Sequence, residues 1–235
     1  MKTISRTDRL GRALAGSQLQ IQLYVNRRCA ELNHAIQHAI WSEDRIEPTF
    51  TWVSPHEGHN FIELQDLAFL TALRLEHLRE QLAAFWPRRG PVWDALAMSH
   101  TSRESHVILV EAKSYVRELY GGGTRASSVS LARIRDALSR TQQWLGVSTN
   151  IDWTGRLYQY ANRLAHVYFF REIVGLNAWL VNVHFVNDPH SPTNLEQWQT
   201  GLSEAKRELG FSRGSIPFCC DVFLPARDRA ELLSA

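Results

Sequence analysis

The sequence has little of what marks secreted, zinc-ribbon and membrane proteins. Its three cysteines, Cys29, Cys219 and Cys220, include an adjacent pair, so they supply neither a disulfide framework nor a Cys-x-x-Cys zinc pattern. No stretch approaches the ~20 apolar residues of a membrane-spanning helix, and residues 1–16 contain no apolar segment of signal-peptide length. We therefore expect a cytoplasmic protein with reduced thiols and no membrane partner.

An excess of charge of one sign is also missing. The 26 lysine and arginine residues are nearly cancelled by 24 aspartate and glutamate residues, which leaves a net charge of +2. A protein that coats DNA without regard to its sequence is usually far more basic, which argues against that class. Contact with nucleic acid would therefore depend on where the basic residues lie.

The first third of the chain is predicted to be mainly helical. An arginine-rich start over residues 1–16 is expected to fray, and apolar residues at helical spacing then predict one long helix over 17–41. Residues 42–61 read as a connection with a short extended piece at 49–53. A second long helix is predicted over 62–86.

The rest of the chain alternates predicted strands and helices. A capping-box pattern of Thr193 and Glu196 marks the start of the helix near the C-terminus. The predicted strands cover 92–98, 106–115, 177–187 and 216–224, and the predicted helices cover 128–145, 153–174 and 193–209.

This order predicts an α/β fold, with a three-layer mixed sheet flanked by helices. No repeat, low-complexity tract or linker is visible, so we expect a single domain over residues 1–235. Its parts would be an N-terminal helical extension (1–41), a core (62–187) and a C-terminal helix and strand (193–235).

Residues 90–120 form the segment in which charge interrupts strand patterns. The run 107–110 is apolar at every position, as in a strand buried on both faces of a sheet. Glu111 and Lys113 follow directly and share one face, because strand side chains alternate. Asp94 interrupts the preceding predicted strand. Since buried charge is costly unless it is paired or metal-bound, these three residues are the candidate catalytic residues.

The chemistry of these side chains points to a divalent cation. Asp94 and Glu111 offer carboxylate oxygens, the ligands that hard cations prefer, and Lys113 could orient or deprotonate a water and offset the charge of a phosphate. Asp94 followed by Glu111-Ala112-Lys113 resembles the PD-(D/E)XK phosphodiesterase superfamily, which has the restriction-endonuclease-like fold. The departure from the family pattern is Trp93, where the family typically has proline.

The resemblance implies a nuclease that depends on Mg²⁺ or Mn²⁺ and acts on nucleic acid, with DNA favoured over RNA and both left open. Cleavage of both strands of a nucleic-acid duplex would use two active sites, which favours a homodimer. The family's αβββαβ core requires one strand beyond the predicted hairpin, supplied either by residues 49–53 or by a split of 92–98. The bound metal would be held by Asp94, by Glu111 and, from the preceding helix, by Glu63, with Glu57 and Glu76 as alternatives.

Substrate-binding residues are predicted on two later helices. In the resembled family, the helix after the Glu-x-Lys strand commonly presents a Gln, Arg or Tyr to the phosphate, and Gln159 and Arg163 fit that role. Arg125 and Arg133 belong to the best local basic cluster of the chain, whose functional interpretation is phosphate contact.

Two other functions are compatible with the sequence. The first is a non-catalytic nucleic-acid-binding or regulatory protein that retains the nuclease fold. The second is a zinc-dependent hydrolase or transferase that uses His34, His38, His56 and His59. The last two are three residues apart beside a glycine, whereas the helical zinc-protease motif needs histidines four residues apart on one face.

Overall fold

The computed structural model describes residues 6–41, 47–212 and 214–234. Its five strands form one mixed sheet whose spatial order follows the chain. Neighbouring strands are antiparallel from β1 to β3 and parallel from β3 to β5. The strands are β1 (Thr49–Ser54), β2 (Ala95–His100), β3 (Ser105–Lys113), β4 (Asn177–Val186) and β5 (Cys219–Pro225).

Helices cover both faces of this sheet. They are α1 (Gly16–Arg27), α2 (Cys29–Trp41), α3 (Asp66–Ala72), α4 (Arg79–Phe85), α5 (Ser128–Trp144), α6 (Tyr158–Tyr168), α7 (Leu195–Glu208) and α8 (Arg229–Leu233). A π-helix, Phe169–Val174, continues α6, and short 3-10 helices occupy Glu57–His59, Glu76–Leu78 and Val116–Leu119. The prediction of an α/β fold with a mixed sheet flanked by helices is confirmed. None of the helices in the described residues is both long and apolar enough to cross a membrane.

The core consists of two apolar clusters separated by the sheet. Strand β3 contributes to both, because Val107 and Leu109 face one cluster while Ile108 and Val110 face the other. Helices α1 and α2 pack with Ile108 and Val110, and helices α3 to α7 pack with Val107 and Leu109. The alternation expected for a strand buried on both faces is therefore present.

The segments on either side of the predicted core, 62–187, are part of the same sheet and of the helices that cover it. Helices α1 and α2 form one of the two helical layers, β1 is an edge strand, and β5 is the other edge. Residues 1–5 of the predicted N-terminal extension, residues 42–46 of the predicted connection, and residues 213 and 235 of the C-terminal part lie outside the described residues.

The two predicted long helices are each divided, so both predictions were wrong in length. The first is split at Arg28, whose backbone leaves the helical region at φ −128°. The second is split at Arg74, which has φ 59°, a left-handed conformation that ends a helix. Residues 62–65 are not helical. The Leu64 carbonyl accepts the N–H of Trp93, and the two residues form an isolated β-bridge just before β2. Periodicity of apolar residues cannot detect such single-residue breaks.

Other predicted boundaries also move. The helix predicted over 153–174 begins at Tyr158, and the strand predicted to begin at 92 begins at Ala95. The capping box is formed by Asn194 and Gln197, not by Thr193 and Glu196. The predicted frayed start is wrong for residues 6–15, where Asp8 accepts hydrogen bonds from Arg12 and binds Arg229.

Candidate active site

Asp94 and Glu111 lie side by side at the ends of two paired strands. Ala95 on β2 pairs with Val110 on β3, so the residues that precede and follow them, Asp94 and Glu111, are neighbours across the pair. Glu111 and Lys113 face the layer of α6, whereas Ala112 belongs to the opposite apolar cluster. The sequence prediction that Glu111 and Lys113 share a face is confirmed.

Both carboxylate oxygens of Glu111 are engaged by cations. Oε1 accepts a hydrogen bond of 2.5 Å from Lys113 Nζ, and Oε2 accepts one of 2.7 Å from Arg163 Nε. Arg163 is itself buried, and its remaining nitrogens donate to the Asn162 side chain and to the Val92 carbonyl, each at 2.8 Å. The structure thus makes Arg163 a buried counter-ion of Glu111. Its predicted contact with a substrate phosphate stays a prediction.

Asp94 has a different environment. Its Oδ2 accepts a hydrogen bond of 2.7 Å from the backbone N–H of Ala112. Within the described part of the chain it forms no ion pair. Burial, followed by the charge of Glu111, raises the pKa of Asp94 to about 8, because Lys113 and the Ala112 N–H compensate only in part.

The neighbouring groups are shifted in the opposite direction. Burial alone would raise the pKa of Glu111, but the charges of Arg163 and Lys113 hold it below its ordinary value. Burial likewise opposes the charge on Lys113, but Glu111 and Asp94 raise its pKa above the ordinary value. At neutral pH the site therefore contains an ionised Glu111, a protonated Lys113 and an Asp94 that has retained its proton.

These groups adjoin an open polar cleft of about 600 Å³. Asp94, Lys113, Glu63 and Gln159 all line it, so four of the predicted site residues are brought together. The cleft is also lined by Arg6, Ser17, Gln18, Tyr115, Arg117 and Glu118. Glu111 lies beneath the cleft, where it lines a much smaller internal cavity with Lys113, Gln159 and Arg163.

Glu63, which was predicted to support the metal, lines the cleft together with Asp94. It precedes the Leu64–Trp93 bridge and is not on a helix, contrary to the prediction. Burial raises the pKa of Glu63, and Glu111 raises it further, while a hydrogen bond with Gln18 opposes the shift. Of the alternatives, Glu57 forms an ion pair with Arg27 at 2.7 Å, and neither Glu57 nor Glu76 lines the cleft.

The predicted basic cluster is not at the cleft. Arg125 is exposed on the loop before α5, and Arg133 donates a hydrogen bond of 3.0 Å to the Ala83 carbonyl on α4. Neither residue lines the cleft. Two other arginines do, Arg6 and Arg117, and the sequence analysis missed both. Arg6 was missed because it lies in the segment expected to fray. Arg117 could have been identified from its position, since it follows Lys113 by four residues.

The side chains at the cleft offer few of the ligands that a metal ion requires. Among residues 6–41, 47–212 and 214–234, no three His, Cys, Asp or Glu side chains are grouped as a metal site. The four histidines of the zinc alternative therefore do not converge there, and His56 instead bonds the Trp52 carbonyl at 2.7 Å. Two adjacent carboxylates are present, however, and Mg²⁺ is usually bound through one or two carboxylates together with waters and substrate phosphates.

The electrostatics of this pair also fit a cation. Asp94 retains a proton because a second negative charge beside Glu111 is unfavourable in a buried site. A divalent cation would replace that proton and supply the positive charge that Asp94 lacks. Comparison of the chain with protein-family models, with curated proteins and with solved structures finds no match.

Proposed function

We propose that this protein is a divalent-metal-dependent phosphodiesterase that cleaves nucleic acid at the cleft formed by Asp94, Glu111 and Lys113. The observation that carries the proposal is the pair of adjacent carboxylates of the buried Glu111 and the half-buried Asp94, of which Glu111 is matched by two cations and Asp94 by none among the described residues. A perturbed acid in a cleft, with a specific charged partner, is typical of a functional site.

The arrangement of the strands supports the resemblance to the restriction-endonuclease-like core. That core requires a third strand next to the hairpin, and β1, which is antiparallel to β2, fills this position. Asp94 immediately precedes β2, Glu111 and Lys113 lie near the end of its antiparallel partner β3, and the following helices lead to the parallel strand β4.

The metal would be held by Asp94 and Glu111, with the Ala112 carbonyl as a further oxygen donor and Glu63 as a supporting acid. When bound, Mg²⁺ or Mn²⁺ supplies Lewis-acid activation of water and stabilises the negative charge that develops on the phosphate. Arg163 keeps Glu111 ionised and fixed in orientation, which a ligand of this kind needs.

Lys113 serves as a cationic hydrogen-bond donor in this proposal. Because its pKa is raised, it carries its proton at neutral pH, so it orients a water or neutralises a phosphate oxygen and does not accept a proton in the resting site. Arg6, Arg117 and Gln159 line the same cleft and would contact phosphate oxygens of the substrate.

The test is cleavage of labelled single-stranded, duplex and structured DNA and RNA in the presence of Mg²⁺ or Mn²⁺. Lys113→Ala, Asp94→Asn and Glu111→Gln are each expected to slow cleavage by at least about 10²-fold, since the last two remove ligands of the metal and the first removes the cation that meets the water or the phosphate. Glu172→Gln is the matched control, because Glu172 is exposed and outside the cleft. Cleavage by the three variants at the parent rate would refute the proposal.

A non-catalytic nucleic-acid-binding protein is the second candidate. It is favoured by the occupation of both Glu111 oxygens by Lys113 and Arg163, since a cation must compete with these partners. Calorimetric titration with Mn²⁺ distinguishes the two functions. Nucleic-acid binding in a metal chelator, combined with no Mn²⁺ uptake and no cleavage, would establish the second candidate and exclude the first.

A further inference from the structure

Strand β4 brings a buried histidine next to Lys113. His184 is the register partner of Lys113 across the parallel pair of β3 and β4. Adjacent strands are about 4.8 Å apart, so the two side chains leave the sheet as neighbours on one face. His184 is completely buried, and with Lys113 and Glu111 it lines the small internal cavity beneath the cleft. The phosphodiesterase proposal does not use His184.

One nitrogen of the His184 ring has a clear partner. Nε2 lies 2.8 Å from Oδ1 of Asp221, whose other oxygen accepts a hydrogen bond of 2.6 Å from Lys206 Nζ. Burial alone would raise the pKa of Asp221, but the hydrogen bond with His184 and the charge of Lys206 lower it to about 2. The carboxylate is therefore ionised at neutral pH and can only accept, so Nε2 carries the hydrogen and donates it.

The other nitrogen, Nδ1, is a hydrogen-bond acceptor without a partner. Lys113, Arg163 and Lys206 already bring three positive charges to this part of the core, where they pair with the carboxylates of Glu111 and Asp221. A further buried positive charge is unfavourable, so the imidazole is neutral and its lone pair lies on Nδ1. Nδ1 is buried and forms no hydrogen bond with any residue that the structure describes. A buried acceptor left unpaired is costly.

The surroundings of His184 fix the ring and leave space for one small partner. The ring centroid lies 4.6 Å from that of Trp198 and 5.4 Å from that of Phe223, and Nε2 is held by Asp221. The internal cavity has a volume of about 10 Å³, which is about the space that one water requires. Its wall also supplies a donor, because Lys113 Nζ has three hydrogens and uses one of them in its bond to Glu111.

We propose that His184 is a positioning residue for Lys113. Its Nδ1 accepts a hydrogen bond from one water in the internal cavity, and that water accepts a hydrogen bond from Lys113 Nζ. This inference rests on the role of Lys113 in the proposed phosphodiesterase. A cation that binds Glu111 competes with Lys113 for Oε1, and the link to His184 then keeps the ammonium group at the cleft. Asp221 acts one step further away, by fixing the histidine ring.

The first measurement is NMR of the full chain labelled with ¹⁵N-histidine, in a metal chelator. The signals of His184 are those that disappear in His184→Gln. We expect Nε2 to carry the hydrogen and Nδ1 to resonate as a hydrogen-bonded acceptor. Lys113→Met should move the Nδ1 signal toward that of an unbonded ring nitrogen, because the water loses the donor that holds it.

Arg117→Met is the matched control for Lys113→Met. Arg117 lines the cleft but not the internal cavity, so its replacement should leave the Nδ1 signal of His184 unchanged. An Nδ1 signal that does not respond to Lys113→Met, or that responds equally to both variants, would overturn the proposal. No metal and no cleavage is involved, so this result is independent of the phosphodiesterase proposal.

The second measurement is metal-dependent cleavage by two variants of His184. Counted in bonds from Cβ, a glutamine amide nitrogen takes the place of Nε2 and an asparagine oxygen takes the place of Nδ1. His184→Gln therefore keeps the donor to Asp221 and loses the acceptor, whereas His184→Asn keeps the acceptor and loses the donor. A positioning role predicts that His184→Gln lowers kcat about tenfold at an unchanged KM, and that His184→Asn stays within about threefold of the parent. A purely structural role, as the partner of Asp221, predicts the reverse order.

The two proposals fail separately. If the parent cleaves but Nδ1 ignores Lys113→Met and His184→Gln cleaves at the parent rate, His184 does not position Lys113 and the phosphodiesterase proposal stands. If Nδ1 responds to Lys113→Met but the parent cleaves no substrate, the link between His184 and Lys113 is supported and the phosphodiesterase proposal fails.

Discussion

Two half-buried carboxylates, Asp94 and Asp221, have opposite electrostatic environments. Asp221 on β5 pairs in register with Asn182 on β4, which pairs with Glu111 on β3, so the two acidic regions lie along one row of the sheet. Asp221 accepts a hydrogen bond of 2.8 Å from His184 Nε2 and one of 2.6 Å from Lys206 Nζ. Asp94 accepts a hydrogen bond from the Ala112 N–H and forms no ion pair with any residue that the structure describes.

The difference appears in the pKa values. Burial alone would raise the pKa of Asp221, but the hydrogen bond with His184 and the charge of Lys206 lower it to about 2. Burial and Glu111 raise that of Asp94 to about 8. Burial is therefore common to both residues, and the counter-ions decide the outcome. A carboxylate matched within the protein stabilises the fold, whereas an unmatched one is available to a ligand.

The largest expected effect that tests this comparison is on stability. Asp221→Ala should lower the free energy of unfolding by about 3–5 kcal/mol, because it leaves Lys206 without its buried partner. Asp94→Asn should raise it, since the amide oxygen still accepts from Ala112 and folding at pH 7 no longer requires the uptake of a proton. Urea denaturation at pH 7 measures both. Equal losses in the two variants would contradict the distinction.

Cation binding gives an effect of intermediate size. At a concentration one hundred times its dissociation constant, Mn²⁺ or Mg²⁺ should raise the free energy of unfolding by about 2.7 kcal/mol, because it binds the folded state alone. Asp94→Asn should abolish this gain and Asp221→Asn should retain it. Thermal unfolding with and without the metal is the measurement, and a gain that survives in Asp94→Asn would place the cation elsewhere.

The stability in metal-free buffer should also depend on pH, and its change per pH unit is the smallest of these effects. Between about pH 4 and 8 the folded state holds the Asp94 proton and the unfolded state does not. The free energy of unfolding should therefore fall as pH rises, by up to about 1.4 kcal/mol per pH unit. Asp221 contributes the opposite slope, because its stabilisation is lost as pH falls from about 4 through about 2.

Each slope should vanish in one variant only. Asp94→Asn should flatten the decline between pH 4 and 8, and Asp221→Asn should flatten the acid limb. Denaturation curves collected at several pH values test this assignment. A decline that persists unchanged in Asp94→Asn would show that another group holds the proton.

Local sequence patterns predicted the hairpin of the site well and its surroundings poorly. The shared face of Glu111 and Lys113 follows from the alternation of a strand, which depends on neighbouring residues alone. The ion pair of Glu111 with Arg163 joins residues 52 positions apart, and no periodicity encodes it. Arg125 and Arg133 were predicted at the site from their density along the chain, yet the fold brings Arg6 and Arg117 there.

The sequence by itself determined the α/β class, the buried β3 strand and the placement of two acids and one lysine on a hairpin, because these depend on the local spacing of apolar and charged residues. Only the tertiary structure decided which charges are matched. Arg163 neutralises Glu111, Lys206 neutralises Asp221, and Asp94 forms no ion pair with a described residue, since counter-ions come from distant elements that packing brings together. Burial then amplifies each of these pairings, because charges interact strongly where water is excluded.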